Sequence, residues 1–137
     1  MSAESGQLTT GADGAYFEGL LANEVRTQVC SGCGRVHWPA VFRCPDCGSW
    51  EHSWRKVAPK GTIFSWTRTR HDFGGPEAFT LPFVSLVVSL DGLEHVRLIG
   101  TLDAPDSDVR IGARVEGRVD VVEFLDRNIP ALVWSLV

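Results

Sequence analysis

The chain has 137 residues, a formal net charge of −4, 44% hydrophobic and 22% charged residues, and four cysteines. That length suits one ordinary domain, or a small domain joined to a minidomain of the kind that needs a metal to fold. The composition is that of a soluble globular protein, and no apolar run approaches the roughly 20 residues of a membrane-spanning helix, so a cytoplasmic protein with no membrane span is expected.

Residues 1–14 read as a flexible tail, because Met1 to Ala12 is rich in Ser, Thr and Gly and has little to bury. It also lacks the basic and apolar regions of a secretion signal, which argues against an extracellular disulfide framework. Asp13 is placed to cap a short helix in which Tyr16, Phe17, Leu20 and Leu21 share a face. Val25, Thr27 and Val29 then alternate with Arg26 and Gln28, the period of a strand, so residues 15–27 are expected to form a helix and a lead-in strand.

Residues 28–54 carry the motif around which the chain is organised. Cys30-Ser31-Gly32-Cys33 is followed after ten residues by Cys44-Pro45-Asp46-Cys47. Two C-x2-C pairs can enclose one tetrahedral Zn²⁺, since each short turn points both sulfurs at one place, and Gly34 and Gly48 supply the bend after each pair. A redox C-x2-C would ordinarily be a single pair beside a βαβ pattern, which is not the setting here. Four thiolates leave no coordination position for water or substrate, so the expected Zn²⁺, one per chain, is structural. His37 and His52 are spare metal ligands by type. Trp38, Trp50 and Trp54 are expected to pack over the ribbon, with base stacking as the alternative use.

Charge is unevenly spread. From Arg26 to Arg70 eight Lys/Arg stand against Asp46 and Glu51, a formal +6, which leaves −10 for the rest of the chain. The stretch reads either as a basic face for a phosphate-bearing ligand or acidic partner, or as a solvated ribbon surface, and both stay open.

Residues 55–137 read as strands separated by turns. Thr62 to Arg70 alternates, with Phe64, Trp66 and Arg68 on one side, and residues 71–77 form a Gly/Pro loop. Phe83 to Leu90 is a second strand with Val84, Leu86, Val88 and Leu90 inward, and Asp91-Gly92 turns into a third over His95 to Leu102. The acidic stretch from Asp103 to Asp108 lacks the glycine and distal Glu of a Ca²⁺ loop and reads as a turn with a short helical start. Valines 115, 119 and 121 mark a fourth strand, and Leu132, Trp134 and Leu136 a fifth. The fold expected is mainly β: an N-terminal helix, a rubredoxin-like zinc ribbon, then a five-stranded Greek-key barrel of the OB type.

There is no G-x-S-x-G, no phosphate-binding G-x-x-x-x-G-K-[ST] loop, no H-E-x-x-H and no cysteine beyond the four. No residue of the chain is therefore assigned a catalytic role. The run Tyr16-Phe17-Glu18-Gly19-Leu20, the ribbon C-x2-C-G-R-V-x-W-P closing on C-P-x-C-G-S, the stretch Gly61 to Thr67, Pro82-Phe83 and Arg110-Ile111-Gly112 occur together. In these the chain, from about Tyr16 to Val137, resembles the stand-alone zinc-ribbon plus OB-fold proteins, long catalogued as a domain of unknown function, that accompany thiolase-like and lipid-transfer-protein-like enzymes.

The resemblance implies a non-catalytic accessory subunit of a hetero-oligomer. Its partner, a thiolase-like or lipid-transfer-protein-like enzyme, would make or break a carbon–carbon bond in an acyl-CoA thioester, as in a thiolase or a steroid side-chain retro-aldolase of lipid metabolism. Cys30, Cys33, Cys44 and Cys47 carry over as zinc ligands. Arg35, His37, Trp38, Arg43, Arg68 and Arg70 are the candidate contacts to CoA or the partner. One departure is that the family often reads P-P-R-x-x-C before the second knuckle, where this chain has Val41 in the arginine's place and Arg43 two residues later. The alternative reading is a zinc-ribbon/OB module for single-stranded nucleic acid, for which Arg68 and Arg70 are the best residues and against which the acidic barrel argues.

Overall fold

The computed structural model describes residues 10–137, so most of the expected tail lies outside the described residues. The described chain divides into two compact units, 10–58 and 59–137.

The first unit opens with α1 (Gly14–Leu21), whose buried residues are Gly14, Tyr16, Gly19 and Leu20, with Phe17 and Leu21 half-buried beside them. Asp13 stands at the N-cap, but its side chain makes no capping bond, contrary to expectation. Three antiparallel strands follow, with β1 (Val25–Cys30) between β2 (Val36–His37) and β3 (His52–Val57). Alternation fails within β1, because Thr27 and Gln28 are both buried. The physical reason lies across the ribbon: Gln28 donates from Nε2 to the Val41 carbonyl at 2.8 Å and accepts the Val41 N–H at 3.0 Å. Gln28 thus acts as a backbone surrogate that pins the segment between the knuckles, and its polar ends are satisfied inside.

The second unit is a closed barrel of β4 (Lys60–Thr69), β5 (Phe83–Leu90), β6 (Leu93–Leu102), β7 (Arg114–Phe124) and β8 (Arg127–Leu136), in the order β4-β5-β6-β8-β7. All neighbours are antiparallel except β6 and β8, which pair parallel at Thr101 with Val133 and Leu102 with Trp134. A one-turn 3₁₀ helix, Asp106–Asp108, sits between β6 and β7, where the acidic stretch predicted a helical start. This is the OB fold expected from the strand count.

The barrel core is Ile63, Val84, Leu86, Val88, Leu90, Val96, Leu98, Val115, Leu132, Val133 and Trp134. Two glycines admit the indole of Trp134. A Cβ on Gly100 would meet Trp134 Nε1 at 2.8 Å, and one on Gly117 would meet its six-membered ring at 3.0 Å. Closing five strands around so large a ring needs backbone on both sides at those two places.

Two details of the barrel differ from expectation. On β4 the register passes from Ile63 opposite Val88 to Ser65 opposite Val87, so Phe64 is a bulge residue and points outward rather than sharing a regular face with Trp66 and Arg68. On β8 the strand begins at Arg127, well before Leu132, because β7 and β8 join through a tight turn with Leu125 and Asp126 at φ 51° and 60°. Both turn positions have positive φ, where Asn-Gly or Asp-Gly is the usual sequence.

Candidate metal centre

The two knuckles bring the four sulfurs together. The Sγ atoms of Cys30, Cys33, Cys44 and Cys47 all lie within 4.8 Å of one another, with Cys30 to Cys47 at 3.5 Å and Cys33 to Cys44 at 3.7 Å. Four sulfurs at about 2.3 Å from a tetrahedral zinc would stand about 3.8 Å apart, so these separations fit one Zn²⁺. They are far beyond the roughly 2.05 Å of a disulfide, and all four thiols are free.

Each knuckle has the same construction. Gly34 N–H donates to the Cys30 carbonyl and Gly48 N–H to the Cys44 carbonyl, both at 2.9 Å, and the glycines take φ 77° and 81°. That left-handed turn exposes backbone N–H groups to the sulfurs, as with Gly32 N–H to Cys30 Sγ at 3.3 Å. The effect on the thiols is unequal. The Cys33 N–H, outweighing burial and joined by Gly32 N–H, lowers Cys30 to about 6. The Cys47 N–H does the same for Cys44, with further help from Asp46 N–H and His37, and takes it to about 7. At Cys47 the Ser49 N–H is outweighed by Cys30, burial and Cys44, which push the thiol up to about 12. Two sulfurs ionise readily and their crowded neighbours resist, a repulsion that a divalent cation relieves.

Around the sulfurs, His37 is buried with Nε2 3.3 Å from Cys44 Sγ, where an N–H would donate to the thiolate. Arg35 pairs with Asp46 at 2.8 Å. Arg43 Nε donates to the Gly48 carbonyl at 3.1 Å, which brings its guanidinium against the second knuckle. Trp38 is half-buried with its ring centroid 4.4 Å from that of Tyr16, so it joins α1 to the ribbon. His52 is held away from the sulfurs by a bond to the Phe42 carbonyl at 2.7 Å. Trp54 is half-buried, as packing requires, but Trp50 is exposed and its expected packing role does not hold.

The remaining two candidates belong to the barrel unit. Arg68 is bonded to Asp106 and stacks its guanidinium 5.5 Å from the Trp66 ring centre, while Arg70 is exposed just beyond β4. Periodicity concealed the Gln28 clamp and the inward turn of His37, because neither residue type marks a strand as buried. The spacing of His37 ahead of Cys44, both near the knuckles, was the available signal for the second.

A four-cysteine ribbon followed by a closed five-stranded barrel defines a zinc-ribbon plus OB-fold protein. The chain belongs to the ChsH2 family of such proteins. The ChsH2 rubredoxin-like zinc ribbon domain matches residues 17–52, and the ChsH2 C-terminal OB-fold domain matches residues 54–120. Among solved structures it is similar to the Ltp2-ChsH2(DUF35) aldolase, with 25% identity and a TM-score of 0.74 over 90% of this chain and 93% of that one. It also shares its fold with a DUF35-family protein of unknown function from Sulfolobus solfataricus, with 20% identity and a TM-score of 0.58 over 96% of this chain and 89% of that one. A search of curated proteins found no match.

Proposed function

We propose that this chain is a non-catalytic accessory subunit of a heteromeric, thiolase-like enzyme that processes acyl-CoA thioesters. The observation that carries the reading is the likeness, over nearly the full length of both chains, to a solved aldolase whose name joins ChsH2 to Ltp2. The reaction class is retro-aldol cleavage or thiolysis, with shortening of a steroid side chain as the specific case. In a retro-aldol step the enzyme subunit removes the β-hydroxyl proton, the Cα–Cβ bond breaks, and its electron pair is held as the thioester enolate until protonation.

This chain's own residues stabilise the partner and help to hold the CoA thioester. Zinc bound by Cys30, Cys33, Cys44 and Cys47 supplies rigidity and no open position. Exposed Arg43 and Arg70 are the candidates to meet phosphate or carboxylate, with Trp38 and His37 backing the ribbon from inside, while Arg35 is already paired with Asp46. Arg68, already bonded to Asp106, has less to offer. Four thiols that ligate metal rather than pair as disulfides fit a reducing, cytoplasmic setting. Among the described residues, no helix is long and apolar enough to cross a membrane.

The test is co-expression with an Ltp2-type thiolase-fold subunit. The proposal expects the two chains to elute together and cleavage of a β-hydroxyacyl-CoA to require the enzyme subunit, with this chain raising its rate. Cleavage by this chain alone, or elution apart from the partner, would overturn it. A single-stranded oligonucleotide assayed at low salt covers the nucleic-acid reading; the barrel unit, with eight Lys/Arg against eleven Asp/Glu, predicts no binding.

A further inference from the structure

The outer wall of the barrel carries an apolar patch that the metal centre does not account for. Phe64, the bulge residue of β4, is 47% exposed. Two strands away Ile99 is 65% exposed, aligned with the bulge through Val87, which pairs with both Ser65 and Ile99. Arg97 lies two residues before Ile99 and so shares its face. Its guanidinium reaches across β5 to lie 3.9 Å from the Phe64 ring centre, which puts Phe64, Arg97 and Ile99 on one surface. Ile111, 71% exposed, stands in the turn whose Gly112 N–H bonds to the Ile63 carbonyl beside the bulge. Neighbouring outward positions are Thr62, Ser85 and Ser89, so the wall is polar around the patch.

Charge selects what covers it. Arg68, Arg114 and Arg118 of the barrel are each bonded to an aspartate, whereas among the described residues Arg97 makes no ion pair. An arginine laid on an aromatic ring, with its fork unengaged and apolar side chains on each flank, matches the residue types that dominate binding energy at protein interfaces. Two copies of this chain, each with a formal net charge of −4, repel one another on approach, which disfavours a second copy as the occupant. We infer that Phe64, Arg97 and Ile99 are the barrel's docking anchor for the enzyme subunit, and that the surface they meet has an apolar centre with a carboxylate placed for Arg97. The inference rests on the accessory-subunit reading and adds the surface by which the barrel takes part.

The experiment measures affinity between the separately purified thiolase-fold subunit and this chain by calorimetry, for wild type, Phe64→Ser, Ile99→Ser and Arg97→Glu, with Glu123→Gln on β7 as control. The three side chains are outside the core, so thermal melting should stay near wild type. Each anchor variant is expected to weaken binding at least about tenfold, and Arg97→Glu should also flatten its dependence on salt. Undiminished binding by Phe64→Ser and Ile99→Ser, with wild type bound, overturns this surface alone. A wild-type chain that does not bind overturns the accessory reading and the surface with it. A homodimer of this chain that these substitutions dissociate would assign the face to a second copy and also overturn the inference.

Discussion

The ribbon and the barrel are held together by different agents. The barrel buries aliphatic side chains around Trp134, while all three buried polar side chains among the described residues, Thr27, Gln28 and His37, lie in the ribbon unit. A unit of some fifty residues has too little interior to fold on apolar area alone. Directional bonds to Val41 and Cys44, together with four sulfurs set for one metal, replace it. The two units should therefore fail under different insults.

The largest effect belongs to the ligands. Cys44→Ser should abolish stoichiometric zinc in metal analysis and unfold the ribbon, since structural zinc contributes on the order of 10 kcal/mol to small ribbon-like units. Barrel strands should remain by circular dichroism. Retention of a full zinc equivalent would show that the four-sulfur site is not the one occupied.

Next is the barrel core. Trp134→Ala empties the space between Gly100 and Gly117 and should cost about 3–5 kcal/mol in denaturant unfolding of the barrel. Zinc content should be unchanged. Loss of zinc alongside barrel stability would erase the distinction between the units.

A smaller loss is expected from Gln28→Ala, which strands the Val41 N–H and carbonyl. It should cost about 1–3 kcal/mol, confined to the ribbon, with faster amide exchange around Val41. An unchanged exchange rate would mean the clamp is not what holds that segment.

The mildest probe is pH. Tyr16 is the single tyrosine, and burial pushes its phenol up to about 12. A raised folded-state value means the stability is fully present below the unfolded value of about 10 and is lost as pH rises toward 12. Phenolate absorbance should therefore rise near pH 12 in the zinc-loaded chain and near pH 10 once chelation releases α1 from Trp38. Identical titrations would separate the helix from the metal.

Much of this division was legible in the sequence. The C-x2-C pairs with Gly34 and Gly48 specified the knuckles, because only a left-handed turn after the second sulfur aims both at one ion. Alternating Val84, Leu86, Val88 and Leu90 placed β5, and Asp91-Gly92 its turn. What escaped were features whose cause lies across the fold. Gln28 is buried because a distant carbonyl and amide meet it, and Phe64 is outward because one extra residue shifts the β4 register. Leu125-Asp126 hides a hairpin turn behind a leucine, a residue that seldom adopts positive φ. At the site, residue type marked His37 as a spare ligand, but its turn inward beside Cys44 needed the fold to be seen.

Zinc is expected to hold the ribbon unit and the ribbon unit only. Hydrogen exchange followed by mass spectrometry, before and after zinc is stripped by a chelator, tests it most directly. Protection should collapse over β1, β2 and β3 and persist over β4 to β8. Protection lost throughout the barrel, or kept in the ribbon without metal, would mean that zinc is not what divides the two units.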